Sequence, residues 1–360
     1  MKSFLQKAIS VKSRMKVRIK VILPAAAMAL CLFTACSSTK LQQYQRVDTA
    51  MGTILRETVY TNGAEDITEE IRDIIVSLEE NVLSWRKESS RVYEINEGAG
   101  HAEGVLLTEE LAEILKKVVA VSRESQGALD VTIGQTVRLW SIDEYAAGSE
   151  KSDFTLPDQG ILEDTLQKSG YEKMILQDDR IYLPEGMELD LGAVGKGIAC
   201  DEILNFLRNQ SQVQGAVISI GGSILTYGEK PDGKLWNVGI VDPFEPSSYL
   251  GSLTLDGQWC VSTSGDYERY VEVDGVRYHH IIDPSNGYPA HAGLRSVTIL
   301  SKDGCLSDAL STACFVLGKE EGLKLLEKYE AYAVMVEEDG SIVLSPGVET
   351  FFKVIVQTSP

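Results

Sequence analysis

From residue 171 onward the chain breaks into short β-rich runs separated by Gly, Asp and Pro: 173–177, 180–183, 216–220, 235–241, 252–255, 259–262, 267–273 and 296–300. Runs this short, joined by turn residues and not by long crossovers, read as hairpins. Asp274-Gly275 is one such turn, and Asp339-Gly340 separates two last strands at 331–336 and 342–344. Hairpin signals outnumber βαβ signals. The expected fold class is therefore α+β: mainly antiparallel sheets with helices packed on them.

The helices announce themselves by period. Ile67, Ile71, Ile74, Ile75, Leu78 and Val82 fall on one face, predicting an amphipathic helix over 65–85. Thr108 is an N-cap, with Glu109 and Glu110 in the first turn, for a helix reaching about residue 125. Further helices are predicted at 133–145, 194–209 and 307–329. The stretch 47–61 reads as a strand or a bent pair interrupted by Gly52, while 86–104 and 148–158 read as loops.

Residues 1–35 carry seven Lys or Arg and no acid, and their apolar stretch, 21–31, is too short to prefer a membrane span. Phe33-Thr34-Ala35-Cys36 resembles a lipobox, with Phe where Leu is usual. That resemblance makes 1–35 a lipoprotein signal peptide, Cys36 the lipidated N-terminus, 36–46 a polar tether and 47–360 the functional domain. An ordinary secretory signal cleaved nearby is the alternative. Without the seven basic residues, 27 Lys and Arg face 53 Asp and Glu, a net charge of −26. Such a surface repels nucleic acid, which is excluded as a partner. It also repels an anionic cofactor, so a bound phosphate compound needs a metal, backbone amides or a few placed cations. Cys200, Cys260, Cys305 and Cys314 match no metal or redox spacing; Cys260 and Cys314 sit in apolar runs and read as core thiols.

Three segments carry the chemistry. His279-His280-Ile281-Ile282-Asp283-Pro284 ends a predicted strand, 276–282, in imidazole, carboxylate and a stiff turn. This is either a site of general base catalysis or a surface turn that happens to hold histidines. Strand alternation points His279 away from His280. Asp190 to Gly197 places three glycines before a helix, which suits close approach of a phosphate to free amides near Lys196, or simply a tight turn. Asp308 and Thr312 stand i and i+4 on a predicted helix. They read as oxygen ligands for Mg²⁺, or as a capping residue and a packed one. Met51-Gly52 and Asp130 are smaller signals, each open to a structural reading.

Taken in order, these segments resemble the ApbE family, the FAD:protein FMN transferases, over essentially the whole mature chain. The matching stretches are Met51-Gly52-Thr53, Leu83-Ser84-Trp85, Ala128 to Thr132, Asp190 to Gly197, Ile220-Gly221-Gly222, Val261 to Gly265, His280 to Pro284 and Ser307 to Thr312. Trp85 stands where many members have Tyr, Ser219 where Asp is common, and Ser311 where some have a second Asp. The resemblance implies a reaction that splits FAD, joins FMN to a Thr hydroxyl of an acceptor and releases AMP. It implies Mg²⁺ held by Asp308, Ser311, Thr312 and the Ala193 carbonyl. It implies an FAD site lined by Met51, Trp85, Asp130, Asp190, Lys196 and Ile282, with backbone contacts from Ala128 and Leu129. His280 would take the proton of the incoming hydroxyl, and Asp283 would orient the loop or the imidazole. The acceptor would be an exported protein with a motif of the type Asp-x-x-Thr-Ser/Gly-Ala-Ser/Thr. The enzyme would be lipid-anchored on the extracytoplasmic face of the membrane. An FAD pyrophosphatase giving FMN and AMP, or a non-catalytic flavin-binding lipoprotein, are the other readings.

The lipobox yields a direct expectation. Cys36→Ser should release the protein from the membrane fraction or leave the signal uncleaved, as judged by fractionation and mass; unchanged membrane association would show the motif to be unused.

Overall fold

The computed structural model describes residues 41–63, 65–146 and 154–355. Cys36, the signal peptide and most of the 148–158 loop lie outside the described residues. The first element is a long hairpin, β1 (Gln42–Ala50) with β2 (Thr53–Thr61), so 42–46 is strand and not tether. Its turn is Met51-Gly52, at φ of 51° and 65°. Two positive φ values match the twist of a tight hairpin, but Met has no intrinsic liking for that region.

Next come α1 (Thr68–Leu78), continued by a π-helical turn (Glu79–Leu83), and α2 (Arg91–Glu97), a short helix inside the stretch expected to be loop. After β3 (Val105–Leu106), α3 (Glu109–Glu124) starts as predicted, the Thr108 hydroxyl accepting from the Leu111 amide at 3.2 Å. The single helix expected over 133–145 is two, α4 (Gly134–Trp140) and α5 (Ile142–Ala146), broken where Ser141 turns left-handed at φ 46°. An unpredicted α6 (Gln159–Lys168) follows, capped by the Asp158 carboxylate.

The second half is the β-rich part: β4 (Ile175–Gln177), β5 (Arg180–Tyr182), α7 (Gly192–Arg208), β6 (Val213–Ile220), β7 (Ser223–Gly228), β8 (Trp236–Val241) and β9 (Tyr249–Leu255). Then come β10 (Trp259–Gly265), β11 (Tyr270–Val273), β12 (Val276–His279) and β13 (Leu294–Ser301). The end is α8 (Gly304–Leu317), α9 (Lys319–Leu326), β14 (Tyr332–Glu337), β15 (Ile342–Leu344) and β16 (Phe352–Val354). Gly318, at φ 79°, splits the one helix expected over 307–329. Among the described residues the main sheet has eight strands in the order β1-β2-β6-β7-β10-β13-β14-β15, every neighbouring pair antiparallel. The α+β expectation holds.

Alternation along the strands builds three layers. Leu55, Val59, Ala216, Ile218 and Ile220 meet Ile71, Ile75, Ile203 and Leu207 of α1 and α7 on one face. Val261, Leu300 and Val334 meet Trp236, Val238, Leu253 and Leu255 of the three-stranded sheet β16-β9-β8 on the other. All four cysteines from 200 onward are buried and free. Among the described residues no helix is long and apolar enough to cross a membrane.

The tightest helix contact is α7 on α8. A Cβ on Gly197 would overlap the Gly304 carbonyl oxygen, and one on Gly304 would overlap that of Gly197. Gly197→Ala must push the helices apart. We expect it to cost about 1–3 kcal/mol, as overpacking does. Urea unfolding with a lowered midpoint and unchanged m-value would show it, and wild-type stability would contradict the contact.

Candidate functional site

The glycine crossing brings the start of α7 against the middle of α8. Asp308 is only 4% exposed. Its Oδ2 accepts from the Gly197 amide at 2.6 Å and its Oδ1 from the Ser223 hydroxyl at 2.8 Å. The capping alternative fails, because α8 begins at Gly304 and its cap is Asp303, whose carboxylate accepts from the Leu306 amide at 2.8 Å. Asp308 thus lies one turn inside the helix. Among the described residues no Lys, Arg or His pairs with it. A buried carboxylate without a counter-cation is costly.

One helical turn on, the Ser311 hydroxyl donates to the Asp308 carbonyl at 2.9 Å and lies 2.8 Å from the Ser264 hydroxyl, with Thr312 Oγ1 at 3.4 Å from the same group. Ala193 sits four residues before Gly197, so its carbonyl shares the turn whose amide Asp308 takes. The donors are all hard oxygens with one carboxylate among them, and no group of three or more His, Cys, Asp or Glu forms a metal cage among the described residues. The set fits a Mg²⁺-type ion that keeps waters and substrate phosphates. Ser223 and Ser264 complete the pocket. Ser264 lies in the 261–265 stretch that resembles the family, whereas Ser223 carried no signal of its own.

The histidine loop is clamped into the fold. The Trp140 indole donates to the Gly287 carbonyl at 2.7 Å, and Tyr278 and Tyr288 pack on the same ring. His279 is buried, its Nε2 2.8 Å from the Ala290 carbonyl and its Nδ1 accepting from the Ile281 amide at 3.3 Å. Burial pushes it down to about 4. It points away from His280 as alternation predicts, but it is a stitch of the loop and not a dispensable side chain. His280 turns the other way. Its amide and its Nδ1 both donate to the Arg269 carbonyl, at 3.1 and 3.2 Å. A carbonyl only accepts, so the ring proton is on Nδ1 and Nε2 keeps a free lone pair. Burial pushes this imidazole down to about 4 as well, against the pull of Asp143 and with the help of Arg269 and Lys196.

Two expected roles narrow: of the loop or the imidazole, Asp283 orients the loop, and Ile282 keeps only its backbone. The Asp283 carboxylate is spent on its own turn, accepting from the Ser285 amide and the Asn286 side chain at 2.8 Å each. It shapes the loop and makes no hydrogen bond to His280 among the described residues. Ile282 is 5% exposed and packs with Ile133, Trp140, Ile142 and Leu162, so only its backbone is left for a ligand. Leu129 is likewise buried in the core, and its amide bonds the Ser125 hydroxyl at 3.2 Å; Ala128 precedes it in the same turn. The Asp130 oxygens accept from the Thr132 amide at 2.8 Å, the Thr132 hydroxyl at 2.6 Å and the Tyr171 amide at 2.9 Å. Burial raises its carboxyl above the ordinary value.

Met51, Trp85, Asp190 and Lys196 remain available. A Cβ on Gly195 would lie 3.3 Å from Met51 Cε, so the thioether covers the first turn of α7. Glu79 Oε2 holds the Met51 amide at 2.8 Å. Trp85 lies beneath two guanidinium groups, Arg86 at 3.8 Å and Arg138 at 5.5 Å. Asp190 accepts from the Gly192 amide at 2.7 Å through Oδ1, and burial raises its carboxyl. Lys196 makes no ion pair among the described residues, yet its charge reaches both His280 and Glu268.

A family model described as the ApbE family matches residues 51–336. The FAD:protein FMN transferase of Treponema pallidum (strain Nichols) is 32% identical over 340 residues, covering 89% of this chain and 91% of that protein. One from Klebsiella pneumoniae (strain 342) is 36% identical over 271 residues, with 74% and 81% covered. Among solved structures, the ApbE protein of Thermotoga maritima superposes with a TM-score of 0.74 at 32% identity, over 86% of this chain and 99% of that one. The apo flavinyl transferase ApbE of Pseudomonas stutzeri gives 0.74 at 27% identity, over 88% and 98%.

The pocket at Asp308 predicts separable effects. Asp308→Asn keeps the shape and removes the charge, so Mn²⁺ affinity, read by electron paramagnetic resonance, should fall at least about tenfold with little change in melting. Asp308→Ala strands the Gly197 amide and the Ser223 hydroxyl and should also cost about 1–3 kcal/mol. Equal Mn²⁺ binding in wild type and Asp308→Asn would rule out a cation at this carboxylate.

Proposed function

The chain belongs to the ApbE family, and from that premise we propose that it is a Mg²⁺-dependent FAD:protein FMN transferase that joins FMN to a threonine hydroxyl of an exported partner and releases AMP. The observation that carries the chemistry is His280: its tautomer is set by the Arg269 carbonyl, its Nε2 makes no hydrogen bond among the described residues, and burial pushes the imidazole down to about 4.

The residues divide the work. Met51 and Trp85 offer polarisable and aromatic surface to the flavin, and Asp190 Oδ2 offers an acceptor. Lys196 would face the diphosphate, while the Gly192 and Val194 amides of α7 are taken by Asp190 Oδ1 and the Leu191 carbonyl. Asp308, Ser311, Thr312 and the Ala193 carbonyl would hold Mg²⁺, which supplies charge neutralisation on the diphosphate. Phosphoryl transfer needs mainly such positioning and neutralisation. The acceptor hydroxyl oxygen attacks the FMN phosphorus and its proton passes to His280 Nε2. The bond from that phosphorus to the bridging oxygen breaks, and the oxygen leaves on AMP. With the lipobox, this reading puts the enzyme on the extracytoplasmic membrane face, anchored at Cys36, where an exported acceptor bearing the Asp-x-x-Thr type motif would meet it.

The test is the mass of a motif-bearing acceptor domain after incubation with FAD and Mg²⁺. A gain of FMN supports transfer; FMN and AMP without a mass gain would make the protein a pyrophosphatase instead. His280→Ala should lower kcat by about 10² to 10⁴-fold, the usual worth of a general base, with FAD affinity within about threefold.

The base must be neutral to act. Because the folded imidazole sits near 4, transfer should stay flat from pH 8 down to about 5 and fall below that, not near 6.5. His279 and His280 both fold with values below the ordinary 6.5, so the native state binds fewer protons than the unfolded chain between 6.5 and 4. Stability is then complete above 6.5 and is lost as pH falls toward 4, so the folded fraction must be followed alongside the rate.

A further inference from the structure

His280 is backed by one residue, and that residue is tied in two other directions. The Arg269 guanidinium donates to the Gly52 carbonyl at 3.3 Å and pairs with Asp143 Oδ2 at 3.2 Å. Gly52 belongs to the turn that presents Met51, so Arg269 joins the flavin side of the site to the base. Asp143 stands on α5, aimed there because Ser141 breaks the preceding helix. Its other oxygen, Oδ1, is buried and has no hydrogen-bond partner. The charged groups that bear on the His280 ring are Asp143 from α5, Arg269 from the segment before β11, and Lys196 from α7, with His279 next along the chain. Asp143 is the acidic member of that set.

We propose that Asp143 is the positioning carboxylate behind the general base. Through the Arg269 guanidinium it fixes the segment whose carbonyl sets the His280 tautomer and holds that segment to the Met51-Gly52 turn. Its free Oδ1 offers negative charge to the imidazolium that forms when the acceptor hydroxyl gives up its proton. The role assigned to Asp283 from sequence thus passes to a residue 137 positions before His280 in the chain. This inference rests on the transferase reading, because a positioned base matters only if His280 accepts a proton.

The test reads the ring directly. In ¹⁵N-labelled wild type at pH 7 without FAD, His280 should show the single Nδ1–H tautomer, its signals assigned by their loss in His280→Ala. Asp143→Asn should give a mixture of both tautomers. In the transfer assay the same variant should lose about tenfold or more in kcat while KM for FAD stays within about threefold, and Asp143→Glu should recover most of both effects. A single unchanged tautomer in Asp143→Asn overturns the proposal, including the case where only the melting temperature falls. The tautomer is observed without substrate, so the two readings fail separately. A wild-type protein that never transfers FMN, but whose tautomer still depends on Asp143, would remove the transferase and keep the latch.

Discussion

The site depends on the contact between two glycines. Gly197 and Gly304 let α7 and α8 approach until backbone meets backbone. Only at that separation can Asp308 reach the Gly197 amide at 2.6 Å. The carboxylate then lies between a helix amide on one side and the Ser223 hydroxyl of β7 on the other. A side chain at either glycine would move α8 outward and take Asp308, Ser311 and Thr312 with it. One steric constraint therefore sets both the packing of the helical layer and the oxygen cluster that suits a hard cation.

The second half of the site is organised by aromatic burial. Trp140 is buried against Tyr278 and Tyr288 and donates to the Gly287 carbonyl, which fastens the loop after β12 to α4. His279 adds a second fastening at the Ala290 carbonyl. The loop can then hold His280 in one orientation without spending Asp283 on it. Burial pushes that imidazole down to about 4, and the charge of Asp143 pulls the other way. Lys196, which makes no ion pair among the described residues, adds its positive charge on the same side.

Much of this was legible residue by residue. The short β-runs with Asp-Gly turns meant antiparallel sheet, because a two-residue turn cannot make a parallel connection. Thr108 capped its helix as read. Met51, Asp190, Lys196, His280 and Asp308 were all visible as candidates. Boundaries failed where a local signal was read through. Gly318 at positive φ stops α8, and glycine near a helix end is a known stop. Asp303, not Asp308, caps α8, and moving the start back by a turn makes Asp308 a buried group inside the helix.

The sequence by itself determined the fold class, most of the strands of the second half and which residue types could do chemistry. Periodicity and turn preference are local, and they survive in one dimension. Tertiary structure decided what those residues meet. Asp143 reaches Arg269, whose carbonyl holds His280, because Ser141 turns left-handed and α5 packs near β11; no period in the chain encodes that meeting. The same holds for Ser223 against Asp308 and for Ile282, whose place in the motif suggested a ligand contact but whose side chain went to the core. The reason is physical. A side chain's role follows from the partners that packing supplies, and packing joins segments a hundred residues apart at distances that sequence spacing cannot express.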